Sequence, residues 1–224
     1  MIRSMVPSPA SAQVWIDFDG TITQQDVLDE LIKRYAVDDS WKLVEQEWQE
    51  GLIGSRDCLS RQLAVVQIPE LAIDGFLNSI QLDPGLAGLV DLLDRWQVPV
   101  AVLSDGLDRF IGPLLRREGL ERLPFRSNTF VRTTDMLELQ CPFSNADCES
   151  ASAHCKCKSI GELSVEDRRG IYIGDGRSDL CPSRKVSCRF AKGVLARNLE
   201  REGIPFLPYT ALAEVASILK TAWG

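Results

Sequence analysis

No stretch of this chain is apolar over anything near the roughly 18 residues that cross a bilayer, so a membrane-embedded function is not expected. Nor is there an excess of positive charge: 25 Lys and Arg stand against 32 Asp and Glu, a formal net charge of −7. A chain so balanced has little with which to neutralise a polynucleotide backbone, and nucleic acid is not expected as a partner. The short basic clusters Arg116-Arg117 and Arg168-Arg169 read as solvated faces. The opening MIRSMVPSPASAQ lacks the apolar segment of a secretory signal and reads as a flexible lead-in. Repeats and low-complexity tracts are missing, and histidine occurs once, at His154. Cysteine is not scarce. The count of seven is odd, however, and no secretory signal accompanies it, so a disulfide framework is disfavoured and a cytoplasmic location expected.

What is present is an ordinary globular composition, 45% apolar and 25% charged, over 224 residues. That length suffices for one sizeable core, or a core with a smaller insertion. An apolar strand is expected at about 13–18. From there to about residue 80 the pattern is helical only, as in DVLDELIKRYA, where Val27, Leu28, Leu31, Ile32 and Tyr35 recur at helical spacing. Beyond Pro84-Gly85 helices alternate with apolar runs: VPVAVLSDG, RRGIYIGDG and VSCRFAKG read as buried parallel strands, and IPFLPY as a short last one. FRSNTFVRTTDMLELQCPF alternates as an antiparallel pair. The expected fold is α/β, a Rossmann-like, mostly parallel sheet, with a helical cap inserted after the first strand: residues 1–21 and 83–224 form the core, 22–82 the cap.

The chemistry concentrates where apolar strands stop. VWIDFDGTIT sets Asp17 and Asp19 two residues apart at the end of the first strand. Burying one unpaired carboxylate costs several kcal/mol, and two so close repel. A strand-to-turn junction would explain Asp-Gly alone. In an extended strand, though, residues i and i+2 share a face, so both carboxylates can reach one hard cation such as Mg²⁺. A second apolar run ends in Ser104-Asp105-Gly106, a third in GDGRSD with Asp175 and Asp179, and Lys158 in CKCKS stands at the start of a helix before it. Each cluster alone is turn or cap chemistry. Three at the same end of neighbouring strands are not.

In these four clusters the chain resembles the haloacid dehalogenase-like phosphatase superfamily: DFDGT its first motif, Ser104 its second, Lys158 its third and GDGRSD its fourth. The helical insertion matches the cap of the phosphoserine-phosphatase-like branch. The resemblance implies that Asp17 attacks phosphorus and forms an aspartyl phosphate, and that Asp19 protonates the leaving oxygen and later activates water. It implies a Mg²⁺ bound by Asp17, the backbone carbonyl of Asp19, and Asp175. Ser104, with Asp105 and Gly106, would hold the phosphate, Lys158 would offset charge, and Asp179 would orient Lys158 or a water from behind. The substrate would be a small phosphate ester, the chain a monomer or homodimer.

Within that branch DFDGTIT, SDGLDRFI and the Cys-rich CPFSNADC…HCKCKS are similar to the methionine-salvage phosphatases of 2-hydroxy-3-keto-5-methylthiopentenyl-1-phosphate. Phosphoserine phosphatases carry a Glu where this chain has Asp26, and an Arg where it has Gln62, with Arg61 one place earlier. Asp26 and Arg61 are the expected cap contacts to substrate. Phosphoserine, and phosphoethanolamine or phosphocholine, stand as alternative substrates. A phosphomutase and a catalytically silent binding protein of the same fold are the alternative classes. Cys141, Cys148, His154, Cys155 and Cys157 fall within seventeen residues. They are read as buried free thiols, with a zinc site as the alternative.

Overall fold

The computed structural model describes residues 5–132, 137–148 and 150–224. Seven strands form one sheet: β1 (Ala12–Ile16), β2 (Val100–Leu107), β3 (Phe125–Arg132), β4 (Leu137–Gln140), β5 (Arg169–Gly174), β6 (Cys188–Ala191) and β7 (Leu207–Pro208), in the order β4-β3-β2-β1-β5-β6-β7. All neighbours are parallel except β3 and β4, the antiparallel pair that the alternation predicts. The residues expected to join that pair include 133–136, which lie outside the described residues. β1 is central: Val14 lies opposite Val100 on one side and Ile171 on the other.

Alternation along these strands covers both faces of the sheet. Val14, Ile16, Val102, Ile171 and Ile173 belong to the larger hydrophobic cluster. Core helices packed into it are α5 (Leu86–Arg95), α6 (Asp108–Arg117) and α10 (Leu212–Trp223), and residues between β1 and α5, among them Leu31, Leu63 and Phe76, extend it. Trp15, Leu103 and Tyr172 point the other way and meet Ile160 of α7 (Lys156–Leu163). Two short connections complete the second half, α8 (Leu180–Arg184) and α9 (Gly193–Arg201). Parallel strands buried on both faces are expected to be continuous apolar runs, and β1 is buried along its whole length.

Between β1 and α5 the chain forms only helices: α1 (Val27–Tyr35), α2 (Ser40–Gln49), α3 (Ser55–Leu63) and α4 (Ile73–Ser79). Isolated bridges pair Thr23 with Leu82 and Ala36 with Val66, the first bringing the two ends of this block together. The block does not float free. Phe76 of α4 meets Tyr35 and Phe110 edge to face, with ring centroids 6.0 and 5.5 Å apart, and Arg117 of α6 donates to the carbonyls of Leu77 and Ile80.

The N-terminal lead-in departs from expectation over its described part. Val6 is buried, Trp223 Nε1 donates to the Pro7 carbonyl at 2.9 Å, and Pro9–Ser11 form a turn of 3₁₀ helix. A buried Val and the tryptophan hydrogen bond anchor a segment whose small residues suggest freedom. The strand order reverses direction about β1. The crevice at the carboxyl ends of β1, β2 and β5 is therefore where an open α/β sheet binds its ligand.

Candidate active site

Asp17 follows β1 directly, its backbone N–H still donating to Ile173 of β5 at 2.9 Å. A tight turn succeeds it: the N–H groups of Ile22 and Thr23 both donate to the Phe18 carbonyl, at 2.8 and 3.0 Å, and Phe18 is buried in the core. This turn is what brings Asp19 back over the strand end. Gly20 has φ +71°, and a Cβ there would lie 2.6 Å from Asp175 Oδ2, so both conformation and space require glycine. Thr21 Oγ1 donates to Asp175 Oδ1 at 2.9 Å and holds the carboxylate at the first strand's edge.

β2 loses its register with β3 between Leu103 and Leu107, where Ser104-Asp105-Gly106 leave the ladder. Ser104 Oγ turns inward, donating to Asp19 Oδ2 at 3.1 Å and accepting from the Gly106 N–H at 2.8 Å. Asp19 Oδ1 accepts from the Val27 N–H at 3.0 Å. Burial pushes the Asp19 carboxyl up, and the Val27 and Ser104 hydrogen bonds pull against that. A Cβ on Gly106 would sit 2.8 Å from Asp19 Oδ2.

Lys156, not Lys158, is the cation of this site. Lys156 Nζ donates to Asp17 Oδ1 at 2.5 Å, Asp179 Oδ1 at 2.6 Å and Ser178 Oγ at 3.2 Å, with its side chain 1% exposed. Lys158 is exposed and donates to the Ser144 carbonyl at 3.3 Å. The physical reason is helical phase. Two residues on a helix are separated by roughly 200°, so only one lysine of CKCKS can face the carboxylates. Lys156 shares its face with buried Ile160, four residues on. That pairing was the signal available in the sequence.

Asp179 is fully consumed by support. Besides Lys156 its Oδ1 accepts from Tyr172 OH at 2.6 Å, and its Oδ2 accepts from the N–H groups of Asp175 and Gly176 at 3.0 and 2.9 Å. Carboxylate oxygens of Asp17, Asp175 and Asp179 lie within 4.8 Å of one another. Burial first, and the Asp179 charge second, push Asp17 well above the usual carboxylate range, against the pull of Lys156. The same two causes raise Asp175 to about 6. Burial alone would lower Lys156; Asp17 and then Asp179 raise it well above an ordinary lysine. One ammonium cannot balance so many carboxylates. The all-oxygen donor set of Asp17 and Asp175 fits a hard divalent cation.

The carboxylates open into a cleft of about 430 Å³ whose far wall is made by α1, α2 and α3. Asp26 lines it while capping α1, accepting from the Asp29 N–H at 2.9 Å. Arg61 does not. It is half-exposed and pairs with Glu47 and Asp57, so its expected role as a substrate contact is corrected. The buried neighbour Gln62 lines the cleft instead, donating to Glu45 Oε2 at 3.0 Å. Gly106 lines the cleft as well, but both oxygens of the Asp105 carboxylate are taken: Oδ1 by the His154 N–H at 2.6 Å, Oδ2 by Ser55 Oγ at 3.0 Å. Thr21, Ser55, Lys156 and Tyr172 are the residues that sequence reasoning missed.

The cysteine-rich segment does not assemble a zinc site around its histidine. His154 is buried, with Nδ1 2.8 Å from the Ser104 carbonyl and Nε2 2.7 Å from Ser159 Oγ. With Nδ1 donating and Nε2 accepting, both nitrogens are occupied. Among the described residues the three aspartates form the single cluster with gathered metal-ligating atoms, and all seven cysteines are free.

The family described as Putative Phosphatase matches residues 12–195. A protein named 2-hydroxy-3-keto-5-methylthiopentenyl-1-phosphate phosphatase from Geobacillus thermodenitrificans is 22% identical over 213 residues, 92% of this chain and 94% of its own. Its namesake in Bacillus mycoides is 26% identical, covering 94% and 96%. Among solved structures, a HAD family hydrolase of Salmonella enterica serovar Typhi superposes with TM-score 0.75 at 21% identity, over 96% of this chain and 72% of its own. A substrate-bound phosphoserine phosphatase gives 0.68 at 18%, over 92% and 97%. At such identities the solved structures establish the shared fold.

Lys156→Met strips two buried carboxylates of their partner and is expected to cost about 3–5 kcal/mol of unfolding free energy in metal-free buffer, whereas Lys158→Met stays within about 0.5 kcal/mol. Denaturant titration of both variants checks this; equal losses would remove Lys156 from the site. A second outcome concerns acid. Burial lowers the His154 pKa to about 4, below the roughly 6.5 of an unfolded chain. As pH falls the unfolded state binds the proton first. The stability tied to neutral His154 is complete above about pH 6.5 and is lost towards pH 4, by about 3 kcal/mol. The raised carboxylates act in the opposite sense over the same window and are common to both proteins, so the readout is the difference: the stability of the native protein relative to His154→Gln should shrink by about 3 kcal/mol from pH 6.5 to pH 4.

Proposed function

Given that the chain belongs to the Putative Phosphatase family, we propose that it is a haloacid dehalogenase-like, Mg²⁺-dependent, cytoplasmic hydrolase of a small phosphate monoester with an uncharged leaving group. The 2-hydroxy-3-keto-5-methylthiopentenyl-1-phosphate of its curated relatives is the compound in view. The observation that carries the reading is the pairing of Asp17 with Lys156 beside Asp19, at the mouth of a cleft sized for a metabolite. The helical block 22–82 acts as the cap, and residues 1–21 with 83–224 as the core.

Asp17 is the nucleophile. Lys156 offsets its charge and that of the arriving phosphoryl group, so two anions can approach. Asp19, kept protonatable by burial, gives its proton to the ester oxygen as the bond to phosphorus breaks. It then takes a proton from the water that hydrolyses the aspartyl phosphate. Ser104, held by the Gly106 N–H, orients Asp19, and its hydroxyl would turn from Asp19 to a phosphate oxygen when substrate is bound. Asp179 and Tyr172 hold Lys156 in place. A Mg²⁺ held by Asp17, Asp175 and the Asp19 carbonyl would supply positive charge towards those oxygens.

The cap wall supports an uncharged leaving group. Leu28, Ile32, Trp48 and Leu59 give it an apolar face, and Gln62 and Glu45 a polar one. Among the described residues that line the cleft, Arg177 is the one with a fixed positive charge. Its guanidinium already lies over Trp48 and donates to the Trp48 and Gln49 carbonyls, both at 3.1 Å. A serine-type carboxylate would be desolvated there without a partner. Asp26, Asp29 and Glu45 do favour an ammonium, which supports phosphoethanolamine or phosphocholine as the second reading.

Asp17→Asn is expected to bring turnover to background with the fold intact. Asp19→Asn should slow alkyl monoesters by about 10²–10⁴-fold and spare activated aryl esters more. EDTA should abolish activity and Mg²⁺ restore it. Appreciable turnover by Asp17→Asn, or in metal-free buffer, contradicts the mechanism. For the substrate, kcat/KM is compared among a 1-phospho-2,3-diketo compound, phosphoserine and phosphoethanolamine. An unpartnered buried charge typically costs 2–5 kcal/mol, roughly 30- to 4,000-fold, so the diketone should lead phosphoserine by at least tenfold. Phosphoserine in the lead overturns the substrate assignment, and phosphoethanolamine in the lead selects the second reading.

A further inference from the structure

Lys156 and Cys157 are adjacent on α7 but point to different neighbours. While Lys156 reaches Asp179, Cys157 Sγ lies 2.6 Å from Cys181 Sγ, on the short helix α8 that begins one residue after Asp179. Both thiols are partly buried and unbonded. The polypeptide thus crosses between the same two segments twice, once by an ion pair and once by two facing sulfurs. A bond of about 2.05 Å would need the sulfurs to close the 2.6 Å separation by only about 0.6 Å. They line a second, open cleft of about 740 Å³ that shares no lining residue with the substrate cleft and is rimmed by Lys158, Arg184, Lys185 and Asp147. An anionic disulfide such as oxidised glutathione can enter there without passing the active site.

We propose that Cys157 and Cys181 form a facultative disulfide that clasps the segment of Lys156 to the segment of Asp179 and fixes the assembled site. One protein thiolate displaces a glutathione from oxidised glutathione, giving a mixed disulfide; the other displaces the second. One S–S bond breaks and one forms. Two electrons leave the protein, and the two thiol protons end on two released glutathione molecules. In a reducing compartment such a bond is reversible rather than permanent. Since the sulfurs meet with Lys156 already in place, the clasp preserves the catalytic geometry, and its effect is on stability. It closes a loop of about 25 residues, which raises Tm by roughly 5–10 °C for a chain of this size.

The test uses the full chain, reduced with dithiothreitol or incubated with oxidised glutathione. Peptide mapping without reductant, thermal unfolding and p-nitrophenyl phosphate turnover are the readouts. The expected result is one cross-link joining Cys157 to Cys181, a Tm higher by about 5–10 °C, and turnover within twofold of the reduced enzyme. Cys181→Ser should match the reduced wild type in turnover and gain no Tm from the oxidant. Should that variant fold poorly, the map and the paired Tm of the wild type still decide. A map without this link, a linked protein with turnover down tenfold or more, or stoichiometric zinc bound through these thiols overturns the proposal.

Discussion

Lys156 places a single ammonium 2.5 Å from Asp17 and 2.6 Å from Asp179, in a position with almost no access to water. Remove it and two carboxylates are stranded in low dielectric, each raising the energy of the other. Much of the surrounding structure follows from that constraint. Asp179 must be fixed, and Tyr172 OH with the Asp175 and Gly176 N–H groups fixes it. α7 must begin where it does, so that its first residue points at the strand ends. The remaining negative charge, on Asp17, Asp19 and Asp175, would be offset by a divalent cation, which under the proposed function would also draw in a phosphate dianion.

The same region ties the helical insertion to the chemistry. Asp105 accepts from Ser55 at the start of α3 and from His154 just before Lys156, while Arg177, two residues beyond Asp175, reaches the C-terminal carbonyls of α2. The segments leading into Lys156 and out of Asp175 are thus each joined to a helix of the cleft's far wall. His154 adds rigidity rather than chemistry: a neutral, buried imidazole bridging Ser104 and Ser159 holds the second and third polar clusters at a set distance.

The fold and the carboxylates were legible in the sequence because both are encoded locally. Strand ends announce themselves where an apolar run meets Asp-Gly, and Asp17, Asp19, Asp175 and Asp179 lie on such ends. Asp105 was legible as belonging to the site, but not as a tie, since its partners Ser55 and His154 are about fifty residues away on either side. Two expectations differ from the structure for one reason. Lys158 stands one helical phase away from Lys156, and Arg61 one away from Gln62, so a motif that matches either lysine or either cap residue equally well does not say which of the two faces the cleft. Composition does not resolve phase. The spacing to Ile160 does for the lysines, and for α3 the burial of Gln62 beside Leu63 depends on packing against α2 that no local pattern records.

The central claim, that the Lys156-paired carboxylate attacks phosphorus, is tested most directly by looking for the bond it makes. The enzyme turning over p-nitrophenyl phosphate with Mg²⁺ is quenched in acid, digested and mapped by mass spectrometry, with a parallel sample treated with hydroxylamine. The account predicts one phosphoryl group, on Asp17 alone, labile to hydroxylamine as an acyl phosphate and missing from Asp17→Asn. A phosphoryl group on any other residue, or a burst of p-nitrophenol with Asp17 unmodified, contradicts it.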